Sequence, residues 1–146
     1  MLLPVFVESW QIECCWEPLR IGQQVNWRLK FVEQRRFEAE PEQQVVLTAH
    51  AEPFSWENGE QGMANIRLNM GAAVLYWWAP EFTAGAVTVV GSVWEDHHAG
   101  LPEDFPVTAG VIRRLRVETR EYREDPPNRM RISSTAWRSS WTASRH

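Results

Sequence analysis

Hydrophobic and polar residues alternate most regularly between Val25 and Phe31. The apolar positions are Val25, Trp27, Leu29 and Phe31, and the polar positions between them are Asn26, Arg28 and Lys30. A period of two is typical of a β-strand with one buried face, whereas a helix repeats every 3.6 residues. The segment 25–31 is therefore predicted to be a strand whose Trp27 side chain is buried.

Similar apolar runs predict further strands. They cover Pro4–Cys15, Gln44–His50, Asn65–Met70, Val74–Trp78, Ala86–Trp94 and Gly110–Arg120. Turn-forming residues separate these runs, most clearly Asn58-Gly59. Gly91 interrupts the alternating valines of its strand, which indicates a bulge or a close approach of another backbone. The segment Glu33–Glu42 has the composition of a short helix that ends at Pro41.

Several short strands separated by turns predict a mainly β fold. We expect one small single-domain β-barrel, SH3-like or OB-like, or a compact β-sandwich, with at most one short helix. The length of 146 residues suits one domain with its own core. The run Glu124–Asn128 is expected to break the sheet, so residues 1–128 would form the β domain and residues 129–146 a partly ordered or docked C-terminal extension.

Composition narrows the classes of function. The net charge of −4 argues against nonspecific nucleic-acid binding, which needs many cations to neutralise phosphates. No stretch approaches the roughly 20 apolar residues of a membrane span, and the N-terminal run has no basic region typical of a signal peptide. We therefore expect a cytoplasmic protein without membrane contact. Its adjacent cysteines, Cys14 and Cys15, do not form a disulfide framework.

The nine tryptophans and a run of arginines are the first candidate for a binding surface. Trp77 and Trp78 are neighbours, so in a regular strand one of them faces away from the core. An outward indole near arginines offers a stacking surface for a base, a sugar or a peptide. The residues proposed for ligand binding are Trp77, Trp78, Trp94, Arg114, Arg116 and Arg120. The alternative is a covered indole and a solvated arginine face paired with nearby glutamates.

A metal site is the second candidate. Thiolates and imidazoles are the ligands that zinc prefers, and the chain offers Cys14, Cys15, His97 and His98. Their spacing matches no common zinc motif, and neighbouring strand residues point to opposite faces. The alternative is that the cysteines are small core residues. We expect no cofactor, with zinc as the open possibility.

Four segments of the chain form a recognisable set: Glu8-Ser9-Trp10-Gln11-Ile12-Glu13-Cys14-Cys15, then Gly22-Gln23-Gln24-Val25-Asn26-Trp27, Trp94-Glu95-Asp96-His97-His98 and Gly110-Val111-Ile112-Arg113-Arg114-Leu115-Arg116-Val117. With these segments, about the first 120 residues resemble a family of small uncharacterised bacterial proteins. The family looks like a domain of unknown function found mainly in high-GC bacteria. The resemblance therefore implies no activity, cofactor or catalytic residue. The G-x-x-V-x-W strand also resembles the opening strand of SH3-like and OB-like barrels.

Two hypotheses for the function follow. The sequence contains no nucleophile motif, phosphate-binding glycine loop or dinucleotide fingerprint, so nothing in it requires an enzyme. The first hypothesis is a noncatalytic binding module that presents the aromatic and arginine-lined β surface to a protein partner or a small anionic ligand. The alternative is a metal-binding protein or metal-dependent hydrolase that uses Cys14 or Cys15 with His97 or His98. A homodimer could also form if Trp137 and Trp141 of the C-terminal tail dock on a second copy.

Overall fold

The computed structural model describes residues 1–8, 18–33, 44–56, 62–96, 101–120 and 134–143. This part of the chain contains nine strands and no helix, which confirms the predicted mainly β fold. The strands are β1 (Leu2–Glu8), β2 (Gln24–Trp27), β3 (Leu29–Glu33), β4 (Val45–Pro53), β5 (Ala64–Asn69), β6 (Val74–Ala79), β7 (Gly85–Glu95), β8 (Thr108–Arg120) and β9 (Ser134–Ala143). The helix expected over Glu33–Glu42 lies outside the described residues, apart from Glu33 at the end of β3. Within the described ranges, no helix is long and apolar enough to cross a membrane.

Five of these strands close into a barrel. Strands β4, β5 and β6 form an antiparallel meander. Strand β6 then pairs in parallel with β3, β3 pairs antiparallel with β7, and β7 returns to β4. Every barrel strand therefore has a neighbour on both sides, which removes the free edges that an open sheet would expose. The prediction of a small β-barrel is confirmed.

The barrel closes at Gly91 of β7. Gly91 lies opposite both Glu33 of β3 and Val45 of β4. Because a strand residue has one neighbour on each side, β3 and β4 lie along opposite edges of β7. A Cβ atom at position 91 would lie 2.7 Å from Cζ of Phe31 and would overlap the main-chain oxygen of Val32. The close backbone approach predicted at this glycine is confirmed.

Strands β2, β8, β9 and β1 continue the sheet beyond the barrel. We call these four strands the extension sheet. Their mutual pairings are antiparallel, and β1 joins the barrel through a parallel pairing of Phe6 with Trp94. Strand β9, formed by residues of the expected C-terminal extension, lies between β8 and β1. The first and last of the described strands are thus neighbours.

The register of β9 shows which of its positions lie opposite the residues of β1. Trp137 lies opposite Val7 of β1, and Trp141 lies opposite Leu3. Val7 and Leu3 are both buried in the main hydrophobic cluster. Since residues directly opposite each other share a face of the sheet, positions 137 and 141 lie on the same face as Val7 and Leu3.

The alternating segment 25–31 passes from the extension sheet into the barrel. Its apolar side chains are all buried, with exposed fractions of 7% for Val25, 6% for Trp27, 0% for Leu29 and 2% for Phe31. The predicted alternation is confirmed, but the single predicted strand is divided at Arg28, because β2 pairs with β8 whereas β3 pairs with β6 and β7. One hydrophobic cluster contains residues of both sheets, so the two sheets form one domain.

Candidate binding surface

The strand register aligns four side chains on the outside of the barrel. Lys30 of β3 lies opposite Trp94 of β7 and opposite Tyr76 of β6. Tyr76 in turn lies opposite Arg67 of β5. Residues directly opposite each other share a face, and the buried neighbours of Lys30 point into the barrel, so these four residues lie on its outer face. We call Trp94, Lys30, Tyr76 and Arg67 the outer row.

Trp77 and Trp78 lie on opposite faces of β6. Trp77 is 6% exposed and belongs to the barrel core, where its ring meets Phe31 edge-on at a centroid distance of 6.0 Å. Trp78 is half-buried on the outer face, where its ring meets Tyr76 edge-on at 5.5 Å. Only Trp78 of this pair therefore contributes to the outer surface.

Lys30 is the only lysine of the chain, and it lies over an indole. Its Nζ is 4.9 Å from the centre of the Trp78 ring, a distance that allows a cation–π interaction. The side chain is half-buried, and no carboxylate among the described residues forms an ion pair with it. Within the described part of the chain, the positive charge of Lys30 is therefore stabilised by an aromatic face rather than by an acid.

Trp94 is held in place by two contacts. Its ring stacks on Phe6 with centroids 4.9 Å apart and planes at 30°. Its Nε1 donates a hydrogen bond of 2.8 Å to Oγ of Ser92, two residues earlier on β7. Because this bond draws the indole back along its own strand, Trp94 presents a fixed, half-buried ring at the surface.

Arg67 lies above a second set of aromatic rings. Its guanidinium carbon is 5.8 Å from the ring centres of both Phe54 and Phe105. Like Lys30, Arg67 is half-buried and has no ion pair with a carboxylate of the described chain. Its Nε is buried and has no hydrogen-bond acceptor. The outer row thus contains two cations that rest on aromatic rings.

Tyr76 is the centre of the aromatic cluster that separates these two cations. It is 1% exposed and donates a hydrogen bond of 2.7 Å from its hydroxyl group to Oδ1 of Asn65. The surrounding rings of Phe54, Trp56, Trp78 and Phe105 lie edge-on to it or at a tilt, with centroids 5.5 to 5.8 Å away. Such contacts fix the orientation of the rings around Tyr76.

The segment 101–108 covers one side of this cluster. Leu101 and Phe105 pack against Tyr76. The segment is tied to the barrel at Thr108, whose Oγ1 accepts a 3.1 Å hydrogen bond from the amide of Val74. Arg28 also donates a 2.9 Å hydrogen bond from Nη2 to the carbonyl oxygen of Glu103. The outer face of β6 is therefore covered near Tyr76 and more open near Trp78.

The predicted arginine face lies on the extension sheet, apart from the aromatic cluster. Arg114 and Arg116 are exposed on β8, and Arg120 is described only as part of the β8 backbone. A register shift between Ile112 and Arg114 marks a bulge that leaves Arg113 without an opposite residue. Arg116 lies opposite Arg138 of β9, which lies opposite Phe6 of β1. Trp94 is opposite Phe6, so the register separates Arg116 from Trp94 by β9 and β1.

The proposed metal ligands Cys14, Cys15, His97 and His98 lie outside the described residues. No group of three or more metal-ligating side chains occurs in the ranges that are described. The zinc site of the alternative hypothesis therefore stays a prediction.

Sequence reasoning did not identify Arg67, Phe54 and Phe105 as site residues. The alternation of Asn65, Arg67 and Asn69 along β5 indicates an outward face, but it does not indicate the strand that lies beside it. Phe54 follows the end of β4 and Phe105 lies in the segment before β8. The contact of both rings with Arg67 depends on strand pairing, which no local pattern reveals.

The comparisons with known proteins agree with the resemblance found in the sequence. No curated protein and no solved structure matches this chain. A family model described as a family of unknown function (DUF6578) matches residues 1–146. The chain therefore belongs to this family of unknown function.

Proposed function

We propose that this chain is a noncatalytic binding module whose barrel holds an anionic ligand, or an acidic segment of a protein partner, at the outer row. One observation supports this more than any other. In a chain of net charge −4, the half-buried cations Lys30 and Arg67 have no carboxylate partner within the described residues. Both lie on the same face, on either side of Tyr76.

The energetics of a half-buried cation favour this proposal. Partial removal from water costs free energy, and a buried cation is normally compensated by an opposite charge. The aromatic rings beneath Lys30 and Arg67 compensate only in part, because a cation–π contact at a partly exposed site contributes about 0.5–1 kcal/mol. An anion bound between them would supply the missing charge.

Unsatisfied donors support the same conclusion. The Nε of Arg67 and the Nε1 of Trp78 are buried and have no acceptor in the structure. A buried donor without an acceptor costs roughly 1–3 kcal/mol. Both atoms are closed to solvent, so a carboxylate or phosphate oxygen would reach them only together with a movement of the side chains that cover them.

The arginine face of β8 is the second surface that an acidic partner could use. Arg114 and Arg116 are exposed, so water already solvates their charges and exposed ion pairs contribute little. The outer row is favoured because its cations are partly desolvated and fixed in position. Binding by Arg114, Arg116 and Arg120 stays a prediction, to be tested in parallel with binding at the outer row.

Isothermal titration calorimetry at low salt tests the proposal. The anionic probes are decaglutamate and octathymidylate, and a glycine-serine decapeptide is the neutral probe. We expect at least one anionic probe to bind and the neutral probe not to bind. The substitutions Lys30→Met and Arg67→Met should each weaken binding about tenfold, because each removes a charge-assisted contact while keeping a long side chain.

The matched control is Arg20→Met, which removes one exposed charge in the segment before β2. It should leave the affinity within about twofold of the unchanged chain. The proposal is wrong if neither anionic probe binds, or if Arg20→Met weakens binding as much as Lys30→Met does.

A further inference from the structure

Residues 101–107, which we call the strap, lie on the aromatic cluster around Tyr76. Leu101 is 6% exposed and Phe105 is 3% exposed, and both side chains pack against Tyr76. Between these two residues, Glu103 and Asp104 are exposed. The strap therefore has the form of a short acidic peptide that is anchored by two apolar side chains four residues apart.

Few polar contacts hold the strap on the barrel. Among the described residues, one hydrogen bond joins the two, from Nη2 of Arg28 to the carbonyl oxygen of Glu103 at an exposed position. The amide of Phe105 donates its hydrogen bond within the strap, to the carbonyl oxygen of Pro102. The strap is thus held mainly by the burial of Leu101 and Phe105. Segments with few buried contacts are the ones that open locally while the rest of a fold stays intact.

Phe105 also lies against a cation of the outer row. The guanidinium carbon of Arg67 is 5.8 Å from the ring centres of Phe105 and Phe54, and these two rings are 6.1 Å apart. Phe105 belongs to the strap, whereas Phe54 follows the end of β4. Release of the strap would therefore take one of the two rings away from Arg67, and it would uncover Tyr76 at the same time.

The surface beneath the strap suits an acidic segment. Three half-buried cations, Arg28, Lys30 and Arg67, lie on this side of the barrel, and Arg28 already binds the backbone of the strap. Tyr76 and the rings around it offer the apolar part of the surface. A segment that replaces the strap must therefore bring two apolar side chains at the same spacing, with acidic residues between them.

We propose that the strap is a displaceable occupant of this surface, and that an acidic segment of a protein partner with two apolar anchors takes its place. This inference rests on the binding function proposed above and names the chemistry of the partner. Because the strap is tethered beside the surface, its effective concentration there is on the order of millimolar. A partner binds only those chains in which the strap has left, so the strap lowers the apparent affinity by the fraction of open chains.

Calorimetry with synthetic peptides tests the proposal. The strap peptide has the sequence of residues 101–107 with both ends capped, and the serine peptide carries Leu101→Ser and Phe105→Ser. In the protein, Phe105→Ala removes an anchor of the strap and raises the fraction of open chains. The strap peptide should therefore bind Phe105→Ala at least tenfold more tightly than the unchanged chain. The serine peptide should bind neither protein.

Pro102→Gly supplies a second arm that keeps both anchors of the strap. A glycine gives the released strap more conformational freedom, so the affinity for the strap peptide should rise about two- to fivefold. The matched control is Pro18→Gly, at an exposed position before β2, which should leave the affinity unchanged. Circular dichroism verifies that each variant is folded. If Phe105→Ala is not folded, the comparison of Pro102→Gly with Pro18→Gly decides.

The outcomes separate this inference from the binding function. Equal binding of the strap peptide and the serine peptide, together with binding of decaglutamate, would overturn the two-anchor partner and leave the anion-binding module intact. An affinity for the strap peptide that does not rise in the strap variants would show that the strap does not compete, and would overturn its displacement. Absence of binding by both peptides, decaglutamate and octathymidylate would overturn the inference and the binding function together.

Discussion

The barrel and the extension sheet differ in how their strands are held. Each barrel strand has partners on both sides, and the circle closes at one glycine of β7. The extension sheet instead ends in the four-residue strand β2. Its inner strand β9 lies near the C-terminal end of the sequence, whereas the neighbouring strand β1 lies near the N-terminal end. In a closed barrel every strand is held on both sides, which limits its motion. The stability of the open sheet depends on pairing between segments that are distant in sequence.

This difference favours the barrel over the extension sheet as the place of the proposed binding surface. The outer row is carried by four consecutive members of the closed ring, so its spacing is fixed by the barrel itself. The arginines of β8 lie beside a bulge, on a sheet whose described strands end at β2. Sites on rigid elements hold their geometry more accurately than sites on mobile ones.

Removing β9 should have the largest effect. A chain truncated after Asn128 loses the strand that pairs with both β8 and β1, so two long edges become exposed. We expect it to aggregate or to lose cooperative unfolding, as measured by size-exclusion chromatography and thermal circular dichroism. A truncated chain that elutes and melts like the full chain would contradict the central role of β9. Elution at half the mass of a dimeric full chain would instead support dimerisation through the tail.

The pair Trp77→Ala and Trp78→Ala contrasts the two faces of one barrel strand. Trp77→Ala should lower the free energy of unfolding by about 3–5 kcal/mol, because it leaves a large cavity in the core. Trp78→Ala should cost about 2 kcal/mol less, since this ring is only half-buried. Urea denaturation measures both values. Equal losses would mean that Trp78 is as much a core residue as Trp77.

Gly91→Ala tests the closure of the barrel. Its Cβ would meet the ring of Phe31 and the carbonyl oxygen of Val32, and the backbone atom has little freedom to move away. We expect a loss of about 3 kcal/mol in urea denaturation. The control Ala86→Val adds bulk at an exposed position of the same strand and should stay within about 0.5 kcal/mol of the unchanged chain. A tolerated alanine at position 91 would show that β3 and β4 are not held as closely as the structure indicates.

Arg116→Glu should have the smallest effect on stability, within about 0.5 kcal/mol, because the side chain is exposed. The same variant distinguishes the two candidate surfaces when it is titrated with decaglutamate beside Lys30→Met. If the outer row holds the anion, Lys30→Met weakens binding more than Arg116→Glu does. The reverse order would move the binding site to the extension sheet.

Much of the fold could be predicted from local patterns. The strands over Asn65–Met70, Val74–Trp78 and Ala86–Trp94 agree with β5, β6 and β7 to within one residue at each end. These segments either alternate apolar and polar residues or are mostly apolar, because each strand has a face in the barrel core. Strand β9 carries a weaker signal, since Trp137 and Trp141 are its only large apolar residues.

The candidate site could be predicted only in part. The pleat of a strand predicts that Trp77 and Trp78 lie on opposite faces of β6. The same rule identifies Trp94 and Lys30 as outward positions. The contact of Lys30 with Trp78, and of Arg67 with two phenylalanines, joins residues more than 10 positions apart in sequence. Such contacts depend on which strands pair and in which register. A local pattern of residues indicates neither the partner strand nor the register.

The amino-acid sequence by itself determined which side chains of the segment 25–31 enter the core, because the pleat of a strand sends every second residue to the same face. Only the tertiary structure decided that the segment 25–31 divides at Arg28 and serves two sheets, since that depends on the partners of β2 and β3. It also decided that Lys30 and Arg67 lie half-buried on aromatic rings without a carboxylate partner among the described residues. The physical reason is that the face on which a strand residue lies follows from local periodicity, whereas charge pairing and the burial of an outward residue such as Tyr76 follow from contacts between distant segments.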